Sequence, residues 1–104
     1  MAPQALLDCD VTLGDHVIMY FFAGVGHDCM VGNGCQIGPQ AIVCGLSKLG
    51  QGVFVGAHAT VNEGVELDNY AVLASGSVAT KDVPKSATVM GVPARPLRHV
   101  ARRT

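Results

Sequence analysis

The sequence predicts an all-β protein folded as a parallel β-helix of six-residue units. An aliphatic residue recurs at every sixth position, a small or β-branched residue follows it four places later, and glycine often stands directly after the aliphatic residue. Neither the period of an α-helix nor that of an alternating strand explains this spacing. The aliphatic positions are Leu7, Leu13, Met19, Val25, Val31, Ile37, Val43, Leu49, Val55, Val61, Leu67 and Leu73.

The composition agrees with short strands joined by frequent turns. Of 104 residues 49% are hydrophobic and only 14% charged, with 13 glycines, which suits one β-rich domain better than amphipathic helices. The formal charge of −1 gives no reason to expect nucleic acid, and no apolar stretch is long enough to span a membrane. The four cysteines show no CxxC spacing and no export signal is visible. We therefore expect reduced thiols and a cytoplasmic location.

The period of six becomes a coil when three units close a triangle of eighteen residues. The aliphatic residue fills the interior, the small residue sits where the wall bends, and glycine provides the backbone freedom that a tight corner demands. Coils stack at about 4.8 Å, the spacing between strands. We expect four coils and a partial fifth over residues 7–84, after a lead-in of residues 1–6 and before a capping segment of residues 85–104.

Stacking predicts contacts between residues that are eighteen positions apart. Inside, Val25, Val43 and Val61 should form one ladder. Outside, a partly apolar stripe is either a subunit interface or scattered surface residues; it consists of Ile18, Gln36, Phe54 and Val72.

The capping segment is expected to cover the open end of the last coil. Pro93 and Pro96 predict no regular structure there, although residues 97–103 could form a short basic helix. Cys29 and Cys35 occupy inward small positions, which favours core packing over a redox role.

Two segments resemble a known family. Residues 74–84 and 91–95 resemble the C-terminal signature of hexapeptide-repeat acyltransferases, and the segment Gly24-Val-Gly-His-Asp-Cys-Met-Val-Gly32 resembles the catalytic segment of sialic-acid and bacillosamine-type sugar O- and N-acetyltransferases. The resemblance implies a left-handed β-helix and a homotrimer with sites between its subunits. It also implies transfer of an acetyl group from acetyl-CoA to an amine or hydroxyl of a sugar or nucleotide-sugar.

Three residues are candidates for the chemistry. His27 is the side chain best suited to remove a proton at neutral pH, and the adjacent Asp28 can orient its imidazole. Gly45, eighteen residues later, offers an N–H group for a developing oxyanion. The resemblance implies that His27 is the general base and that Gly45 contacts the acetyl carbonyl. Without it, a His-Asp pair at a turn is more often a solvated corner.

Further residues are candidates for binding the acetyl-CoA. By resemblance, Ala57 and Ser75 line a groove between subunits that holds the pantetheine arm. Lys81, Arg95 and Arg98 could meet its phosphates, or could simply solubilise the tail. No metal is expected, because the histidines, at positions 16, 27, 58 and 99, include no closely spaced pair of ligands.

The sequence departs from these sugar acetyltransferases in two respects. They generally carry an N-terminal βαβ-type domain, whereas here nothing precedes Leu7, which predicts a fragment or a short relative with another acceptor. Tyr20 would alter the acceptor pocket, and Phe21 and Phe22 are candidates for packing against a neighbour. The alternative function is a non-catalytic trimeric scaffold.

Overall fold

The computed structural model describes residues 4–97, which fold into a left-handed parallel β-helix of about five turns. Its strands are short because each one ends at a corner. In chain order they are β1 (Leu6–Leu7), β2 (Thr12–Leu13), β3 (Ile18–Met19), β4 (Gly24–Val25), β5 (Met30–Val31), β6 (Gln36–Ile37), β7 (Ile42–Val43), β8 (Lys48–Leu49), β9 (Phe54–Val55), β10 (Thr60–Val61), β11 (Glu66–Leu67), β12 (Val72–Leu73), β13 (Val78–Ala79), β14 (Thr88–Met90) and β15 (Arg95–Pro96).

Every third strand belongs to the same sheet, so three sheets form the walls of a triangular prism. Sheet A has the order β1-β4-β7-β10-β13, and sheet B the order β11-β8-β5-β2. Sheet C has the order β15-β14-β12-β9-β6-β3. All pairs except β14 with β15 are parallel, and strand partners in β1 to β13 are eighteen residues apart, as Val25 with Val43 and Val43 with Val61. The predicted coil is confirmed.

The predicted interior and exterior ladders are both present. The second residue of each strand points inward, so Val43, Val55 and Val61 are fully buried. Cys29 and Cys35 are also fully buried, and their thiols donate to the carbonyls of Cys44 and Gly50, as core packing predicted. The outer stripe stacks in the predicted register, from Ile18 to Gln36, Phe54 and Val72.

The corners correct our explanation of the glycines. The left-handed backbone lies at the third residue after each inward aliphatic, where φ is 64° at Leu46 and 73° at Gly34. Glycines directly after the aliphatic residue do not have positive φ; they are needed because the next coil lies too close. A β-carbon at Gly26 would lie 2.7 Å from the nitrogen of Gly45. The constraint there is steric.

The expectation of no regular structure around the prolines was wrong. Strand β14 continues sheet C in parallel with β12, and β15 folds back antiparallel on β14, pairing Met90 with Arg95. Pro96 is compatible with β15 because this strand lies at the edge of the sheet, where no further strand needs its N–H group. The basic helix predicted over residues 97–103 lies, apart from Leu97, outside the described residues.

At the other end of the prism, the described first coil has little beneath it. Its inward residues Leu7 and Leu13 remain 40% and 36% exposed, whereas their counterparts one coil later are buried. Over residues 4–97, no helix is long and apolar enough to cross a membrane.

Candidate active site

The candidate residues lie on the edges of the prism, which we name by the sheets they join. Edge AB follows sheet A, and one column of its corner positions runs through Cys9, His27, Gly45 and Glu63. Edge CA follows sheet C, with a column through Phe21, Pro39, Ala57 and Ser75. Edge BC follows sheet B and contains Asn33, Asn69 and Tyr70.

His27 and Gly45 lie in neighbouring coils and are in contact. A β-carbon built on Gly45 would lie 2.5 Å from Nε2 of His27 and 2.8 Å from its Cδ2. The imidazole therefore fills the space that any larger residue at position 45 would take. The backbone supports the same stacking, because the N–H group of Leu46 donates to the carbonyl of His27 at 2.9 Å.

Asp28 fixes the orientation of the imidazole. Nδ1 of His27 lies 3.0 Å from Oδ2 of Asp28, and both side chains are about half exposed, at 46% and 50%. Because a carboxylate only accepts hydrogen bonds, Nδ1 donates and carries the proton. In the neutral ring, Nε2 then keeps the lone pair, and Nε2 is the nitrogen turned toward Gly45.

The charges around His27 are negative. The hydrogen bond that His27 donates to Asp28 raises the pKa of His27 above 6.5. Desolvation lowers this pKa by a smaller amount, and the negative charges of Asp28, Asp8 and Glu63 each raise it by less still. The effect of Asp8 was not anticipated from the sequence. A signal was present, because Asp8 is one coil before Gly26 and therefore lies beside the same corner.

The amide of Gly45 is unpaired within the described residues, although the residue itself is buried in the single chain. Among residues 4–97 its N–H group finds no hydrogen-bond acceptor, whereas those of Cys44 and Leu46 donate to Val61 and His27. Gly26 lies directly beneath this nitrogen, and a β-carbon there would come within 2.7 Å of it, so glycine is required at position 26. A nearby lone pair on Nε2 and an unpaired N–H group can together serve a proton transfer and a developing negative charge on oxygen.

The predicted acetyl-CoA residues do not lie together on one chain. Lys81 follows β13 near the C-terminal end of edge AB, where the spacing changes, because Val83 bridges to Leu67 sixteen residues earlier. Ala57 and Ser75 lie on edge CA, at the opposite border of sheet A. Arg95 belongs to β15, the edge strand of sheet C, and Arg98 lies outside the described residues. Positions that differ by a multiple of eighteen lie on the same edge. The numbering alone therefore places Ala57 and Ser75 on a different edge from His27 and Gly45.

Two cavities flank edge AB. On sheet A, a cavity of about 390 Å³ lies over Gly24 between Leu6 and Ile42. On sheet B, one of about 480 Å³ is bordered by Lys48, Glu66 and Asp82. The part of the chain that the structure describes holds no cluster of three side chains suited to bind a metal ion.

Sequence relatives agree on the class of protein. No protein-family model matches the chain. An acyl-[acyl-carrier-protein]–UDP-N-acetylglucosamine O-acyltransferase of Pseudomonas entomophila is 31% identical over 85 residues, which make up 82% of this chain and 33% of that protein. Galactoside O-acetyltransferase of Escherichia coli is 36% identical over 52 residues, 50% of this chain and 26% of that protein. The homologues of this chain are hexapeptide-repeat acyltransferases.

A solved acetyltransferase structure extends the similarity over almost the whole chain. PerB of Caulobacter crescentus, in complex with CoA and GDP-perosamine, superimposes with a TM-score of 0.80 at 29% identity, covering 92% of this chain and 55% of that one. The chain spans about a third of the length of the first curated relatives that it matches. The similarity to hexapeptide-repeat acyltransferases thus concerns their β-helix part.

Proposed function

We propose that the chain is an acyltransferase that moves an acetyl group from acetyl-CoA to an amine or hydroxyl of a sugar or nucleotide-sugar. The observation that carries the proposal is the closeness of His27 Nε2 to Gly45, whose N–H group has no acceptor among the described residues. Support for the acceptor class comes from the relatives, one named for UDP-N-acetylglucosamine and one bound to GDP-perosamine. The cytoplasmic location expected from the sequence stays a prediction.

The chemistry is a direct transfer. His27 accepts the proton of the acceptor's amine or hydroxyl at Nε2 while that nitrogen or oxygen attacks the thioester carbonyl carbon. Negative charge grows on the carbonyl oxygen, where the N–H group of Gly45 stabilises it. The carbon–sulfur bond then breaks, and the imidazolium returns its proton to the leaving sulfur. The products are an acetylated acceptor and CoA with a free thiol. Asp28 holds Nδ1–H throughout.

A cyclic homotrimer would bring the separated candidates together. His27 and Gly45 lie on edge AB, Ala57 and Ser75 on edge CA, and sheet A spans the distance between the two edges. If sheet A faces the three-fold axis, edge AB of one protomer meets edge CA of the next. Pantetheine would then run between Gly45 of one protomer and Ala57 of its partner, toward Lys81.

The outer face of sheet A suits this role. The outward residues of sheet A and of the parallel strands of sheet C carry no charge, whereas those of sheet B include Lys48 and Glu66. Sheet A differs from sheet C because it borders both edge AB and edge CA. Uncharged, partly apolar surface is the kind that oligomers cover. The face consists of Leu6, Gly24, Ile42, Thr60 and Val78.

The test is turnover of the purified full chain. Acetyl-CoA binding is measured by calorimetry, and thiol release is followed with a panel of amino sugars, sugar alcohols and nucleotide-linked amino sugars. We expect binding, release with at least one acceptor, and loss of release in His27→Ala. His16→Ala is the matched control, because His16 occupies a corner on edge BC. Failure of acetyl-CoA to bind at millimolar concentration would overturn the proposal and leave the scaffold alternative.

A further inference from the structure

The two halves of the chain differ in charge. Residues 1–47 contain no Lys or Arg, and their four charged side chains are all acidic: Asp8, Asp10, Asp15 and Asp28. The described cations lie further along the helix, at Lys48, Lys81, Lys85 and Arg95, where they are accompanied by four carboxylates, Glu63, Glu66, Asp68 and Asp82. Below His27, toward the N-terminal end of edge AB, the surface is therefore negative. Above it, toward Lys81, cations are available for an anionic substrate.

An aromatic pair lies at the N-terminal end of edge CA. The rings of Phe21 and Phe22 meet edge to face, with centroids 5.8 Å apart and planes at 86°. They are 49% and 50% exposed, so their own chain covers only half of each ring. Such a pair adds apolar surface and two π faces to whatever lies opposite.

In the proposed trimer, this pair reaches His27 of the neighbouring protomer. Protomers related by a three-fold axis parallel to the coil axis meet at equal heights. Phe22 is five residues before His27, about a quarter of a coil, which corresponds to a rise of about 1 Å. Phe22 of one protomer and His27 of the next therefore lie at nearly the same level, on opposite sides of the groove.

We propose, on the basis of the proposed function, that the acceptor is an unphosphorylated primary amine with a sugar-like or apolar body. It binds below His27, between the acidic end of edge AB and the Phe21–Phe22 pair of the neighbouring protomer. The amine enters as an ammonium, attracted by Asp8 and Asp28 and by the π faces of the rings. One proton leaves to solvent before attack, and the second passes to His27 during attack.

The same surroundings disfavour a nucleotide-linked acceptor. Its diphosphate would place at least two negative charges beside Asp8, Asp10 and Asp28, and residues 1–47 offer no Lys or Arg to neutralise them. The expected acceptor is therefore narrower than the sugar and nucleotide-sugar acceptors for which the relatives of this chain are named.

The test compares one amino sugar in free and nucleotide-diphosphate-linked form, using kcat/KM for thiol release by the full chain. We expect at least a 10-fold preference for the free amine at low salt, shrinking as salt screens the carboxylates. Asp8→Lys should reduce that preference. A preference for the nucleotide-linked form would overturn the inference while leaving the proposed function intact. If none of the acceptors leads to thiol release, both this inference and the proposed function are overturned.

The aromatic contact has its own variants. Phe22→Ala should raise KM for the free amine about 10-fold with little change in kcat, and Phe22→Leu should do so in part. Phe54→Ala is the matched control, since Phe54 is an exposed aromatic on sheet C. An unchanged KM in a folded, trimeric Phe22→Ala protein would contradict the assignment of the ring to the acceptor.

Discussion

The imidazole of His27 occupies the space where a side chain of residue 45 would begin, with Nε2 2.5 Å from the position of a β-carbon there. Gly45 therefore both makes room for the candidate base and supplies the unpaired amide beside it. Substitution at 45 and substitution at 27 should consequently damage the same step.

Gly45→Ala should lower kcat about 100-fold or more, because its methyl group displaces the imidazole from the reacting groups. Thiol release and acetyl-CoA calorimetry together measure the effect. Gly64→Ala is the control on the same edge: a β-carbon there meets nothing within 4 Å, so it should cost stability at its positive φ but spare kcat. Equal kcat values for the two variants would show that the space at position 45 is unimportant.

The pH dependence of kcat/KM should reveal the carboxylates around His27. The base must be neutral to accept a proton, and Asp28, Asp8 and Glu63 raise the pKa of His27 above 6.5. Activity should therefore fall as the pH falls through an apparent pKa above 6.5. Asp28→Asn should move this limb to lower pH and slow the plateau rate, because the imidazole loses its orienting acceptor. If the acid limb of the pH profile does not move in Asp28→Asn, it reports the titration of a group other than His27.

Assembly should depend on sheet A and not on sheet B. Ile42→Asp places a charge in the face proposed to meet the three-fold axis and should dissociate the trimer, measured by light scattering after size-exclusion chromatography. Met30→Asp is the control, because it changes a similarly exposed side chain on sheet B. In the single chain Met30 is 52% exposed, and Ile42 on sheet A is 43% exposed. Dissociation by Met30→Asp alone would assign the interface to sheet B.

The two classes of corner glycine should respond differently to alanine. A β-carbon at Gly50 would clash with the side-chain oxygen of Asn69 and lie 2.8 Å from its nitrogen, so Gly50→Ala should cost about 2–3 kcal/mol of unfolding free energy. Gly34 has open space but a φ of 73°, so Gly34→Ala should cost about 1 kcal/mol. Urea unfolding of both variants checks the order, and a larger loss at Gly34 would reverse the assignment.

The sequence was enough to predict the wall of the prism but not the details of its corners. A period of six forces Val25, Val43 and Val61 into one ladder, because inward residues must repeat wherever the chain returns to the same sheet. Corner conformation is a different matter. Leu46 has a φ of 64° although isolated leucine avoids it, because the coil on either side imposes the turn.

For the candidate site, spacing predicted the stacking of His27 and Gly45 but not the state of each group. The hydrogen bond from His27 to Asp28 depends on side-chain rotamers, and the free amide of Gly45 depends on what the neighbouring coil leaves unpaired. Neither follows from periodicity. The separation of Ala57 from Gly45 did follow from it, since their difference of twelve residues is two thirds of a coil.

The number of coils sets the distance between two sites along edge AB. Lys81 follows β13, which lies three strands from β4 in sheet A, so the rise from the candidate base to a candidate phosphate contact is about three strand spacings, about 14 Å. Inserting or deleting eighteen residues above Gly45 would lengthen or shorten this span by one step of about 4.8 Å and leave His27 and Gly45 in register. Substrate length could therefore be matched by coil number, with no redesign of the catalytic corner.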